Sequence, residues 1–163
     1  MLQGVKARGV QFLLIFEGAK PSDTSADERA IPIICEMSDL AQEAQAFLLL
    51  YPHTGNWIER IEDAVRVADK VNRPNVGVMF NLCHWLRVSK GHDYRTRLQQ
   101  ALHRLMAVSI NGADEYDDQP GWSRYIQPLD QGSFDILAFL KTLRDLGYKG
   151  PIDLQCYGIG GDA

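Results

Sequence analysis

The sequence predicts an α/β protein built on a parallel sheet, and three observations lead there. Short apolar runs of strand length alternate with longer stretches whose apolar residues recur at helical spacing. One strand and helix pair returns about every 30 residues, the length of a right-handed crossover unit. No Gly-rich turn stands between a strand and a following helix, as a doubly wound nucleotide-binding sheet would require; Tyr157-Gly158-Ile159-Gly160-Gly161 is Gly-rich but is followed by no helix.

The first predicted strand is Val10 to Phe16, an apolar run with aromatic and β-branched content, left by a loop containing Gly18, Pro21 and Ser22. Asp23 to Gln45 then places Ile33, Ile34, Met37, Leu40, Ala41 and Ala44 on one helical stripe. Pro32 is tolerated only near a first turn, so the helix is expected to begin close to Ala30. Strand Phe47 to Tyr51, loop Pro52 to Asn56 and helix Trp57 to Val71 repeat the unit. Strand Val76 to Asn81 follows Pro74 and Asn75, and Leu82 to Gly91 reads as its exit loop. Tyr94, Leu98, Leu102 and Leu105 mark the third helix. Met106 to Ile110 is the fourth strand, succeeded by a polar loop from Asn111 to Asp130. Phe134, Leu137, Leu140, Leu143 and Leu146 stripe the last helix, closed by Gly147, and Ile152 to Cys156 is the fifth strand.

At 163 residues, 45% apolar and 23% charged, the chain is long enough for one sizeable core, and a single domain over residues 1–163 is expected. Its net charge of -4, with basic residues scattered singly, argues against a nucleic-acid partner. Cys35, Cys83 and Cys156 have neither disulfide nor zinc spacing, so reduced thiols are expected. No apolar run approaches the roughly 20 residues of a membrane helix, and Met1 to Arg8 lacks the layout of an export signal. A cytoplasmic protein without a membrane partner is the expectation.

Three segments carry a family resemblance. Asn75-Val76-Gly77-Val78-Met79-Phe80-Asn81-Leu82-Cys83-His84 is similar to a strand ending in Asp-x-x-His. Gln127-Pro128-Leu129-Asp130-Gln131-Gly132 is similar to a Pro-Leu-Gly-x-Gly turn. Leu146-Gly147-Tyr148-Lys149-Gly150-Pro151 leads into a strand, Ile152 to Gln155, that normally ends in Glu. In this order and spacing the chain resembles the xylose-isomerase-like TIM-barrel superfamily of sugar-phosphate isomerases and epimerases, which includes AP endonuclease family 2. The resemblance implies an incomplete (β/α) TIM-type barrel: about five parallel strands equivalent to strands 4–8, four outer helices, the first three strands missing and the last outer helix not reached. Such a sheet has two unpaired edges, which implies either a piece of a larger barrel or a homo-oligomer joined through those edges.

In that family a divalent metal sits on acidic and imidazole side chains at four successive strand ends. It polarises a sugar carbonyl while carboxylates move a proton. The resemblance maps those four positions to Tyr51, Asn81, Ser109 and Gln155, none an anionic carboxylate, so no metal cofactor, or only a weakly held one, is expected. His84 matches the family's substrate-contacting histidine and His53 lies two residues past the first ligand position; these two are the candidate catalytic pair. Tyr51, Asn81, Ser109, Asn111, Asp114, Gln155 and Tyr157 are the candidate contacts to a small-molecule sugar.

Other readings of the same residues remain open. His84 can satisfy a backbone group, His53 can be a solvated loop residue, and Asn81 and Gln155 can be internal polar bridges between strands. Cys83 and Cys156 read as inert packing and Trp57 as core. Trp85 and Trp122 fall near loops where indoles stack on sugars, while His92 and His103 read as surface. Two functions follow: an isomerase or epimerase-like protein using His-based acid–base chemistry on a keto-sugar, or a non-catalytic carbohydrate-binding or assembly module.

Overall fold

The computed structural model describes residues 9–90, 93–115 and 121–160. Five strands, β1 Gln11–Leu14, β2 Phe47–Leu50, β3 Val76–Asn81, β4 Leu105–Ile110 and β5 Ile152–Leu154, lie in sequence order in one sheet, every pair parallel. The sheet curls into a half-barrel carrying five helices: α1 Asp27–Glu43, α2 Ile61–Val71, α3 Leu82–Ser89, α4 Tyr94–Ala101 and α5 Ile136–Asp145.

The alternation of the strands sorts their side chains. Leu48, Leu50, Val76, Val78, Phe80, Val108 and Ile110 join the helices in the main core, with Ile34, Ile61, Val67, Leu98 and Phe139 opposite them. The residues between them, Leu49, Tyr51, Met79 and Ala107, form a second, smaller cluster. A bulge lies between β3 and β4, where Val78 pairs with Leu105 and Met79 with Ala107, leaving Met106 as the extra residue. Met106 packs on this second cluster, in space that Gly77 leaves free: a Cβ on Gly77 would lie 2.5 Å from Met106 Cγ.

Several expectations need correcting: β1 stops at Leu14, two residues before Phe16, and Leu105, expected on the third helix, opens β4. Helix α1 begins at Asp27, after a 3-10 turn at Thr24–Ala26 whose cap, Asp23, accepts the Ser25 N–H at 2.9 Å. Pro32 therefore sits inside the helix, one turn later than expected, where it removes a donor to the Glu28 carbonyl. Helix α2 starts at Ile61, where Asp63 Oδ2 takes the Arg60 N–H at 3.1 Å and the Ser22 hydroxyl at 2.7 Å. Strand β5 ends at Leu154, two residues early.

The last correction matters most: the expected exit loop after β3 is helix α3, so among the described residues five α-helices form where four were expected. Asn81 closes the strand with extended backbone, and its side chain accepts the His84 N–H at 3.3 Å. Leu82, Cys83, Trp85 and Leu86 are then buried together.

Burial falls off at both sheet edges. On β1, Leu13 is 47% exposed, with Ile15 just beyond it at 50%; on β5, Ile152 and Leu154 are 44% and 57% exposed. Among the described residues no helix is long and apolar enough to cross a membrane.

Candidate functional site

The parallel order brings every strand's C-terminal end to one rim, and there the candidate residues gather. Tyr51 follows β2 directly, held by its N–H on the Leu14 carbonyl at 3.0 Å. Asn81 ends β3 and donates through Nδ2 to the Tyr51 hydroxyl. Gln155 follows β5, held by its N–H on the Ile110 carbonyl at 2.9 Å, and its side chain lines the same cleft as Tyr51. The Asn81–Tyr51 bond ties the ends of β2 and β3, and Gln155 brings the end of β5 to the same cleft. Ser109 is buried beside Asn81, its register partner on β4.

Tyr51, Asn81 and Gln155 are uncharged and already engaged. Asn81 Oδ1 accepts the Cys83 thiol at 2.9 Å as well as the His84 N–H. Gln155 Oε1 accepts the Tyr157 N–H at 3.2 Å. Burial, with smaller contributions from Cys83 and Asp153, holds the Tyr51 phenol above its usual range, so it remains a neutral hydroxyl. Among the described residues no group of three or more His, Cys, Asp or Glu is placed to hold a metal ion.

Above this cluster lies a cleft of about 450 Å³, walled by Tyr51, His53, His84, Trp122, Gln155 and Tyr157. Ile15 and Ile126 complete its lining. The walls are largely aromatic: the His53 and His84 rings lie 4.2 Å apart, Tyr51 meets His84 edge-on at 5.7 Å, and Trp122 meets His84 edge-on at 4.9 Å. The Arg87 guanidinium covers Trp122 at 4.4 Å and donates to the Gly121 carbonyl.

The two histidines meet in the residue between them in space, Thr54. Its N–H donates to His84 Nδ1 at 3.2 Å with its hydroxyl at 3.1 Å, while its carbonyl lies 3.1 Å from His53 Nδ1. Burial pushes His84 down to about 3, helped by the neighbouring His53 and Arg87, so this imidazole is neutral at pH 7. The His-based acid–base chemistry expected from the sequence is best served by an imidazole near its ordinary value, which His84 is not.

Four sequence candidates lie outside the cleft lining: Asn81 and Ser109, buried at the ends of their strands, and Asn111 and Asp114 beyond β4. Asn111 is buried, and its Nδ2 donates to the carbonyls of Gly112 and Tyr125 at 2.7 and 2.6 Å. Asp114 accepts Gln127 Nε2 at 3.0 Å, the Ser133 N–H at 3.2 Å and Arg124 Nε at 3.1 Å. Both brace the loop that carries Trp122. The same loop explains the turn at Pro128 to Gly132: a Cβ on Gly112 would lie 1.8 Å from the Pro128 oxygen, and one on Gly132, whose φ is +92°, 2.0 Å from the Ala113 oxygen.

The remaining candidates sort cleanly. Trp57 is core, as expected, with its Nε1 donating to the Asp23 carbonyl at 2.8 Å. Trp85 is also core, packed on Phe80 and Tyr94, and is not near a sugar surface as anticipated. Cys83 is buried packing, its thiol pushed up to about 12 by burial, whereas Cys156 is exposed rather than packed as expected. His103 is on the surface, 3.1 Å from Asp69. His92, Asp117 and Asp118 lie outside the described residues. Ile126 and Thr54 were not singled out in the sequence; both sit in loops with no motif to mark them.

Comparison with known proteins places this rim in context. The chain is 19% identical over 168 residues to inosose isomerase of Bacillus subtilis (strain 168), spanning 96% of this chain and 58% of that protein. Among solved structures, D-allulose 3-epimerase from Methylomonas sp. superposes with a TM-score of 0.71 at 16% identity, over 93% of this chain and 51% of that one. A protein named IOLI, solved with a bound zinc atom, gives 0.66 at 18% identity, over 91% and 54%. The chain thus spans about half the length of the relatives it matches. The model of the xylose isomerase-like TIM barrel matches residues 2–159. With parallel βα units running through nearly all of that span, the chain belongs to the xylose isomerase-like TIM barrel family.

Proposed function

We propose that this chain contributes a sugar-binding, isomerase or epimerase-like site that works on a keto-sugar without the divalent metal used elsewhere in its family. One observation carries the reading: at the family's metal-bearing rim, Asn81 donates to the Tyr51 hydroxyl, Gln155 accepts the Tyr157 N–H, and a cleft of sugar size lined by Tyr51 and Gln155 opens beside them. Phenol and amide groups, already paired, do not fit a divalent cation, which favours several anionic oxygens. The same groups, with the faces of Trp122 and Tyr157, suit hydroxyls and a sugar ring. The relatives' names, inosose isomerase and D-allulose 3-epimerase, support a polyol-derived ketone as the ligand class.

In this reading His84 stabilises the carbonyl oxygen and His53 handles the proton on the neighbouring carbon. Nucleic acid is not the partner: Arg66, Arg73, Arg97 and Arg104 are each paired with a carboxylate. Three free thiols agree with a cytoplasmic setting. A ketose panel in deuterium oxide, followed by proton NMR, tests the reaction: loss of the proton beside the carbonyl in the intact protein, and its retention in His84→Ala, is the expected result. Retention in both discards catalysis.

A second reading, a non-catalytic carbohydrate-binding or assembly module, is favoured by the low pKa of His84, which makes it a poor proton shuttle. Saturable binding of a sugar with no proton exchange selects it. Assembly through the open edges at β1 and β5 is proposed with either reading, and the mass of the protein in solution tests it.

A further inference from the structure

We propose that the main chain of Thr54 is the positioning element of this site, holding His53 and His84 in opposite tautomers so that one offers a lone pair and the other an N–H. A backbone N–H only donates and a backbone carbonyl only accepts. The Thr54 N–H points at His84 Nδ1 at 3.2 Å, so that nitrogen carries the lone pair and the ring proton resides on Nε2. The Thr54 carbonyl faces His53 Nδ1 at 3.1 Å, so that nitrogen carries the proton and Nε2 holds the lone pair. One peptide residue therefore sets both rings, and in each the nitrogen left for a ligand is Nε2.

The Thr54 hydroxyl, 3.1 Å from His84 Nδ1, adds a second donor to the same lone pair. The rings are 4.2 Å apart, close enough for a carbonyl oxygen and the carbon beside it to meet one each. This division of labour rests on the reading of the cleft as a keto-sugar site. There, His53 Nε2 takes the proton from the carbon next to the carbonyl. The electrons of the broken C–H bond form the enediolate double bond, and the carbonyl π pair moves onto oxygen. The Nε2–H of His84 holds that oxyanion by a hydrogen bond without giving up its proton. Return of the proton from His53 to the former carbonyl carbon, as the proton of the neighbouring enediol hydroxyl passes to the oxyanion oxygen, completes an isomerisation in which atoms and electrons balance with no co-reactant.

Long-range 15N–1H correlation spectra of the ligand-free 163-residue protein at about pH 9, where an imidazole of ordinary pKa is neutral, test the inference before any substrate is found. The expected result is His84 protonated on Nε2 alone and His53 protonated on Nδ1 alone. Thr54→Val, which keeps both backbone groups and removes the hydroxyl, is expected to leave both patterns intact. The same tautomer in both rings, averaged shifts for the two nitrogens of either ring, or a switch in Thr54→Val each overturns it. Failure to find a sugar ligand while the tautomers stand as assigned counts against the functional reading alone.

Discussion

The imidazoles of His53 and His84 stand 4.2 Å apart, and the backbone of Thr54 meets the Nδ1 atoms of both. His84 is the more buried of the two, enclosed by Tyr51, His53, Trp122 and the Arg87 guanidinium behind Trp122. That enclosure makes its neutral form a part of the folded state, which has consequences for stability as well as for ligands.

The first consequence is a pH dependence. Burial, with His53 and Arg87, lowers the His84 pKa from 6.5 to about 3, so the unfolded chain binds a proton there that the folded chain refuses. The stability tied to neutral His84 is complete above pH 6.5 and is lost progressively as pH falls toward 3, at no more than about 1.4 kcal/mol per pH unit. Urea denaturation at pH 7 and pH 5 is expected to show a larger drop for the wild type than for His84→Gln. Equal drops contradict the burial account.

Asn81 has two structural duties, capping α3 and holding Tyr51. Asn81→Ala removes the cap and leaves the Tyr51 hydroxyl short of a partner, so a loss of about 1–3 kcal/mol is expected in urea melts. Far-UV circular dichroism reports whether α3 frays along with it.

Restoring carboxylates tests the loss of the metal. The double variant Asn81→Asp with Gln155→Glu places two acids at family ligand positions, around a buried phenol. Without metal it is expected to melt below the wild type, from like-charge repulsion and burial, and to be rescued by added zinc while the wild type is indifferent. Thermal melts with and without zinc read both effects.

Trp122 is half-buried, stacked with Arg87 and facing the cleft. Trp122→Ala is expected to cost only about 0.5–1 kcal/mol of stability, the scale of an exposed cation–π pair, while weakening sugar binding at least several-fold. Calorimetry on the variant checks the binding, and a large loss of stability with unchanged binding would assign Trp122 to the scaffold instead.

Gly132 shows how a sequence motif becomes a constraint. Its φ of +92° and the nearby Ala113 oxygen leave no room for a Cβ. Gly132→Ala is therefore expected to destabilise by about 1–3 kcal/mol, measured by denaturant midpoint, and to loosen the segment that carries Trp122.

The βα order was readable because each strand is an apolar run set off by Gly, Pro or polar residues, as Pro74 and Asn75 set off β3. Helix α3 was not readable for the opposite reason: Asn81 is at once strand end and helix cap, and Leu82-Cys83 continues the apolar text with no break. Pro32 misled because a proline six residues into a helix looks like one at its start. The strand-end positions of Tyr51, Asn81 and Gln155 were legible from the rim rule for barrels, and His84 from its spacing three residues past Asn81. Thr54 was not, since its contribution is a peptide N–H and carbonyl that any residue possesses; only three-dimensional contact reveals it. Asn111 and Asp114 follow β4 as a site residue would, but their partners come from residues 124–133, a pairing invisible in one dimension.

Calorimetric titration of ketoses into the protein, with and without a chelator, bears most directly on the proposal of a metal-free sugar site built on Tyr51, Asn81, Gln155 and the histidine pair. The account predicts saturable binding of at least one ketose that the chelator leaves unchanged and that His84→Ala abolishes. Binding that disappears with the chelator, or no saturable heat from any ketose, would contradict it.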